Sequence, residues 1–325
     1  MLLVKSPLRI SLVGGGTDFP DYFKNKGGAV ISASINKFVY IALNKRSEKE
    51  IRISYSKTEI VTELERIEHD LIREVLKRYL IQSNLEIVTI ADLPSRGTGL
   101  GSSSALCVSI LAALNVLKNG HFDSKRIASE ACDIEINVLG KPIGMQDQYA
   151  SAIGGFNRIN FSSDGQVIVK SLNIGKDNLS RISSWFKLLP VSVRMNSTSS
   201  LLQTIQTIKS QDKNGIMDKT LNLVDELEIG LKSFSVSVIS DIINEGWNLK
   251  KQFGESISNS YIDDLVRLLK KEGMLAAKIV GAGSGGYLLL FAQPEWYSSR
   301  CPSDLSGKLI DLKLGVPGTA LVYSD

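Results

Sequence analysis

Between residues 93 and 106 the chain reads LPSRGTGLGSSSAL. Gly97, Gly99 and Gly101 alternate with other residues, Ser102, Ser103 and Ser104 follow, and an apolar run begins at Ala105. Glycines let a backbone approach a ligand closely and turn its N–H groups toward it. Hydroxyls donate to an oxyanion or ligate a metal, and a helix start adds unpaired N–H donors at a positive dipole end. That composition suits the holding of an anion. The plainer reading is a loop with a serine cap on a core helix. Two carboxylates follow. Glu135 stands near the end of a helical pattern, and Gly140, Pro142 and Gly144 force a turn before Asp147. An isolated Asp in an uncharged, half-apolar segment either caps a helix or does chemistry. Near the N-terminus Gly14, Gly15 and Gly16 precede Thr17 and Asp18. An Asp there is a turn residue unless the glycines carry it to a pocket.

A further glycine cluster, GAGSGG at residues 281–286, fits the dinucleotide pattern G-x-G-x-x-G as letters only. That motif must open a helix, and here YLLLF follows, which is a strand. These glycines are expected to form a tight strand–strand turn close to a ligand. G-x-x-x-x-G-K-[ST] does not occur in the sequence, so this is not a P-loop chain.

Around these residues the first 60 positions are rich in strand signals. VKSPLRISLV alternates, AVISASINKFVYIALNKR reads as two strands, and IRISYS as another. Apolar residues from Leu64 to Tyr79 recur at helical spacing, predicting a helix over 63–80. LEIVTIADLP is a strand that ends in the glycine loop. The run 105–117 is apolar on every side and predicts a buried helix. A second helix is expected over 124–138, capped by Asp123 or Ser124 and stopped by Gly140 and Pro142. Beyond Gly155 come short strands, a polar helix-rich region over 199–273, and then a strand, glycine turn and strand from Ala276. Strands and helices run in segregated blocks, which argues for an α+β class. Two lobes are expected, residues 1–185 and 186–325.

The 325 residues carry a net charge of +4, with basic residues interleaved among acidic ones. That argues against nucleic acid as a partner and fits a small anionic substrate. Three cysteines, Cys107, Cys132 and Cys301, read as reduced thiols of a cytoplasmic protein. The two histidines, His69 and His121, are far from any cysteine, which argues against a zinc site and against a Ser-His-Asp triad. The N-terminus reads as a strand, not a signal peptide. The apolar part of the 97–117 run, about 13 residues, is too short to span a bilayer.

In combination the segments SPLRISLVGGGTD (6–18), LPSRGTGLGSSSA (93–105) and KIVGAGSGG (278–286) resemble, in order, the three motifs of the GHMP superfamily of sugar and small-alcohol kinases. The spacing from Glu135 to Asp147 is similar to that in its galactokinases. The resemblance implies a two-lobed α+β fold, a mixed N-terminal lobe and an α+β C-terminal lobe, acting as a monomer or homodimer. It implies that the loop of Gly97, Gly99, Leu100, Gly101, Ser102, Ser103 and Ser104 wraps the phosphates of ATP. Ser103 would ligate Mg2+, with Ser102 or Ser104 able to take that place, and Glu135 would be the second protein ligand. Asp147 would act as base or orienting group, Arg9 as catalytic cation, and Asp18 as holder of sugar hydroxyls. Gly15, Gly16, Thr17, Gly144 and Gly283 would complete the sugar site.

Where galactokinases carry Glu-His, this chain has Gly15-Gly16, which leaves room for a longer or anionic sugar end. Within the family the segments GGGTDFPDYF and GMQDQYASAIGG are most similar to kinases of D-glycero-D-manno-heptose 7-phosphate, which phosphorylate the anomeric hydroxyl. Of the Thr-Gly…Arg element such kinases carry near residues 191–195, Arg194 alone is retained. The alternatives are a C1 kinase of an unphosphorylated sugar such as fucose or galactose, and a non-catalytic sensor of ATP and sugar.

Overall fold

Alternation in LLVKSPLRISLV produces a twelve-residue strand, β1 (Leu2–Val13), with Val4, Leu8, Ile10 and Leu12 buried. The structure, a computed structural model, describes all residues except 95–96, 193–209 and 284. The segment expected as two strands is one, β2 (Gly28–Lys45). Its pairing with β1 jumps from Pro7–Phe38 to Leu8–Ile35. Asn36 and Lys37 thus bulge out of register while the strand runs on. Asn36 is held there by an Oδ1 that accepts from the Lys313 N–H at 2.7 Å.

β3 (Ile51–Ser54) and β4 (Thr58–Val61) form a hairpin, β4 being too short and mixed to read from sequence. β5 (Leu85–Ala91), β6 (Phe156–Phe161) and β7 (Val167–Ser171) complete the first half of the chain. The expected helix over 63–80 divides into a 3-10 turn, Leu64–Arg66, and an α-helix, Asp70–Arg78. His69 separates them, its ring accepting from the Ile72 N–H as a cap.

The second sheet is built from β8 (Phe186–Ser192), β9 (Ala276–Ile279), β10 (Gly286–Phe291) and β11 (Ile310–Asp311), in the order β11-β8-β10-β9 and antiparallel. Helices Ser210–Ser233, Val236–Lys251 and Ser260–Lys271 fill the polar region between β8 and β9. The last strand, β12 (Ala320–Ser324), returns to the first sheet and pairs with β1. That eight-stranded sheet runs β12-β1-β2-β5-β3-β4, with β6 on the other half of β2 and β7 beyond it.

The helix Ser102–Asn119 is buried against β1 and β2, its Val108, Ile110, Leu111 and Leu114 all without exposure. By length and composition alone it could cross a membrane. Its apolarity belongs to the core in which it lies. The fold is α+β and two-lobed. One core cluster joins β1 residues Leu8, Ile10 and Leu12 to Val224, Leu227 and Ile242 of the second lobe's helices and to Leu289 of β10. The three cysteines are free thiols.

Candidate active site

Gly97, Gly99 and Gly101 have φ of +72°, +71° and +79°, a backbone that side chains with a Cβ rarely adopt. This alternation winds the chain into the helix that starts at Ser102, whose first turn receives no side-chain cap. Its leading N–H groups are therefore left for a ligand. The third motif lies directly behind the loop. A Cβ on Gly99 would come within 2.4 Å of the Val280 carbonyl oxygen, and one on Gly281 within 2.3 Å of the Gly99 Cα. The GAGSGG turn joins β9 to β10, as its sequence suggested, and holds the first glycine loop backbone against backbone.

Arg9 comes from the middle of β1, flanked by the buried Leu8 and Ile10. Its Nε and Nη2 donate to the two carboxylate oxygens of Asp147 at 2.7 and 2.5 Å, a bidentate pair. Its Nη1 donates to the Gly99 carbonyl at 2.6 Å. Asp147 lies in the first turn of the helix Gln146–Ile153, but makes no cap. Its carboxylate is spent on Arg9, beside Gly101, whose added Cβ would stand 3.4 Å from Asp147 Oδ2.

The helix Ser124–Cys132, capped by Asp123, continues as a π-helical turn, Asp133–Val138. The wider turn rotates Glu135 inward, and such insertions recur at functional sites. Glu135 is wholly buried. Its Oε1 accepts from the Ser103 hydroxyl at 2.7 Å, and its Oε2 from Ser104 at 2.6 Å and the Gln148 amide at 2.7 Å. Ser102 turns away to Thr98, with the two hydroxyl oxygens 3.1 Å apart.

A cavity of about 160 Å3 opens beside the Arg9–Asp147 pair. Its walls include Gly15, Gly16, Asp18, Gln146, Lys250 and Lys278. Asp18 Oδ1 accepts from the Gly16 N–H at 2.9 Å, and Oδ2 from the Gln146 side-chain amide at 3.0 Å. Gly144 must lack a side chain here, since its Cβ would fall 1.9 Å from Asp18 Oδ2. Ser11 and Gln146 line the same cavity, and Ser11 Oγ and Gln146 Oε1 are buried without a hydrogen-bond partner among the described residues. Unsatisfied buried polar atoms are rare, and these two belong to residues that border the cavity.

Burial first, and the nearby charge of Asp147 after it, raise the pKa of Asp18, against the opposing N–H bonds from Gly16 and Gln146. The folded chain thus holds the Asp18 proton more readily than the unfolded chain. Stability on this account falls as pH climbs from the ordinary carboxylate value through the raised one. Asp18→Asn is accordingly expected to melt no lower than wild type at neutral pH. The gap between variant and wild type should narrow as the medium is made acidic. The KM for sugar should rise by about tenfold or more, since bonds to a charged acceptor are lost. A variant melting well below wild type with unchanged KM would make Asp18 a structural residue.

The structure thus gathers Arg9, Gly15, Gly16, Asp18, Gly144 and Asp147 around one cavity, with the loop 97–104 and Glu135 adjoining it. Thr17 stands under the wall, its hydroxyl donating to the carbonyls of Gly14 and Ala29. Gly283 faces the Ile257 backbone, 2.8 Å from its added Cβ, and does not line the cavity. Arg194 lies outside the described residues.

Sequence reasoning missed Lys278, Lys250, Gln146, Gln148 and Lys141. The signal for Lys278 was a lone charge in the apolar strand β9. Its Nζ donates to the carbonyls of Ser11 and Leu12 at 3.1 and 2.7 Å. Burial, and then the charge of Arg9, push its pKa down to about 8. Lys250 reaches the Gly281 carbonyl.

A glycine loop at a helix start, with an arginine–aspartate pair and a cavity beside it, suits a kinase of small alcohols. Residues 69–155 match the GHMP kinases N terminal domain and residues 229–296 match the GHMP kinases C terminal. The chain thus carries GHMP kinase N-terminal and C-terminal domains and is a phosphotransferase acting on a sugar hydroxyl.

It is 27% identical over 310 residues to the D-glycero-alpha-D-manno-heptose 7-phosphate kinase of Campylobacter jejuni, covering 89% of each chain. It is 26% identical over 321 residues to the galactokinase of Thermotoga neapolitana, again covering 89% of each. Among solved structures it is similar to a D-glycero-D-manno-heptose 1-phosphate kinase from Bacteriodes thetaiotaomicron. There the TM-score is 0.80, the identity 25% and the coverage 100% of both chains.

Proposed function

We propose that this kinase transfers the γ-phosphoryl group of ATP to the anomeric (C1) hydroxyl of D-glycero-D-manno-heptose 7-phosphate. The observation that carries the reading is the make-up of the cavity. Carboxylates for sugar hydroxyls, Asp18 and Asp147, share its wall with three cations, Arg9, Lys250 and Lys278. No side chain stands at Gly15 and Gly16, where an anionic tail of the sugar needs room.

Asp147 accepts the proton of the attacking hydroxyl or orients that hydroxyl. The sugar oxygen bonds to the γ-phosphorus as the bond to the β,γ-bridging oxygen breaks, and ADP leaves. Arg9 orients Asp147 through its two N–H bonds, and its guanidinium is the cation offered to the transferring phosphoryl oxygens. Asp18 and Gln146 hold sugar hydroxyls. The N–H groups of the loop 97–104 hold the donor phosphates.

Ser103 and Glu135 offer two hard oxygen donors, 2.7 Å apart, at the start of the phosphate-facing helix. Such a pair fits Mg2+, which keeps several waters and needs few protein ligands. Bound there, the ion would supply neutralisation of phosphate charge. Ser104 and Gln148 fix the second Glu135 oxygen and so aim the first.

ADP release measured against a panel of free sugars and sugar 7-phosphates tests the assignment. The heptose 7-phosphate should give the highest kcat/KM, by about a hundredfold over galactose or fucose, as expected of charge–charge contacts in a partly dry pocket. Turnover of galactose or fucose with heptose 7-phosphate ignored would replace this substrate by an unphosphorylated one. Binding without turnover of any sugar would make the chain a sensor.

A further inference from the structure

Glu135 has no exposure, and three of its hydrogen-bond donors, Ser103, Ser104 and Gln148, are neutral. Neutral donors satisfy a buried carboxylate's lone pairs but leave its charge uncompensated. The compensating charge is Lys141. Its Nζ lies 3.3 Å from Glu135 Oε1 and 3.2 Å from Ser103 Oγ. The ammonium therefore bridges the two atoms that the proposed function gives to Mg2+.

The local fold brings it there. The Lys141 backbone N–H donates to the Glu135 carbonyl at 2.9 Å, closing the turn that follows the π-helical segment. Gly140, at φ +61°, precedes it and Pro142 follows. One short segment thus supplies both the carboxylate and its counter-charge. The Lys141 side chain is 21% exposed, against 0% for Glu135, so the ammonium has a way out while the carboxylate does not.

We propose that Lys141 is a placeholder cation for the metal. It keeps Ser103 and Glu135 in the ligating arrangement, and its charge keeps divalent ions off the nucleotide-free site. When metal arrives already bound to a triphosphate, the ammonium moves from Glu135 to the phosphate oxygens. Metal then enters with the nucleotide and not ahead of it. The inference rests on the reading of Ser103 and Glu135 as metal ligands, and goes beyond it in assigning an order of entry and the residue that sets it.

Mn2+ alone, titrated into nucleotide-free protein with free Mn2+ followed by its paramagnetic resonance, tests this. Lys141→Met should bind Mn2+ about tenfold or more tighter than wild type, because a like charge at contact distance has been removed. Lys141→Arg should stay near wild type. Lys141→Met should also melt lower than wild type in EDTA, the loss being restored by Mn2+. Lys141→Gln, which keeps a hydrogen-bond donor, serves for the titration where Lys141→Met does not fold in EDTA. Binding within about twofold of wild type in the uncharged variant, or no binding at all, overturns the proposal. The metal reading itself is checked separately. Glu135→Gln should weaken Mn2+ binding in the presence of ATP, and an unchanged affinity there would remove Glu135 from the metal site whatever Lys141 does.

Discussion

Asp147→Asn is expected to leave a folded protein that binds ATP nearly as well as wild type and turns over about 10²–10⁴-fold more slowly, the usual cost of losing a general base. Asparagine keeps the shape of the side chain but not its charge. Both Asp147 oxygens receive N–H groups of Arg9, at 2.7 and 2.5 Å. An amide presents one oxygen to that fork and turns an NH2 group against the other donor. The hydroxyl thus loses its proton acceptor, and Arg9 loses the partner that aims it. The fold should tolerate the change, because Arg9 retains the Gly99 carbonyl through Nη1. The checks are kcat by ADP release and ATP affinity by titration. A well-folded variant keeping more than about a tenth of the wild-type kcat would leave Asp147 a structural partner of Arg9.

Gly15→Glu should divide substrates by charge. Unlike Gly14 and Gly16, Gly15 does not have a positive φ. A Cβ there meets nothing closer than the Gln146 side-chain nitrogen at 3.6 Å and Ser11 Oγ at 3.9 Å. A glutamate can therefore be placed with little strain, its carboxylate entering the cavity. It would face the phosphate dianion of a sugar 7-phosphate in a partly desolvated space, where like charges cost several kcal/mol. An uncharged hexose would feel added bulk only, and Gln146 is near enough to bond the new carboxylate. The expected result is a fall in kcat/KM for heptose 7-phosphate at least about a hundredfold larger than that for galactose. A thermal melt confirms folding. Equal losses for both sugars would show that the anionic end of the substrate does not lie beside Gly15.

The legible part of this protein was the part written in short contiguous stretches. Alternation gave β1, an all-round apolar run gave the helix after the glycine loop, and glycine spacing gave the loop itself. The class of fold followed from the blocks in which these elements come. The motif resemblance pointed to Arg9, Asp18, Glu135 and Asp147, and the structure sets Arg9, Asp18 and Asp147 on one cavity and Glu135 at the adjoining helix start. What stayed hidden depends on partners far away along the chain. Lys278 serves the carbonyls at residues 11 and 12. Thr17 is spent on Ala29. The role of GAGSGG follows from a backbone contact with Gly99 that no pattern within either loop encodes. The single long β2 was hidden because its bulge at Asn36 and Lys37 reads locally as a break, and pairing with β1 carries the strand through it.

The pairing of β12 with β1 sets a timetable for biosynthesis. Leu2 faces Ser324 and Lys5 faces Ala320, on the strand that also bears Arg9. A chain emerging N-terminus first can assemble β1 with β2 early, but the Leu2–Lys5 edge of β1 stays open until β12 leaves the ribosome. Such long-range closure is slow, and an open strand edge invites pairing with other chains. The strand that bears Arg9 is thus made well before the strand that completes its pairing. Chains cut short before Ala320 should leave the Leu2–Lys5 end of β1 as an open edge and aggregate in preference to folding.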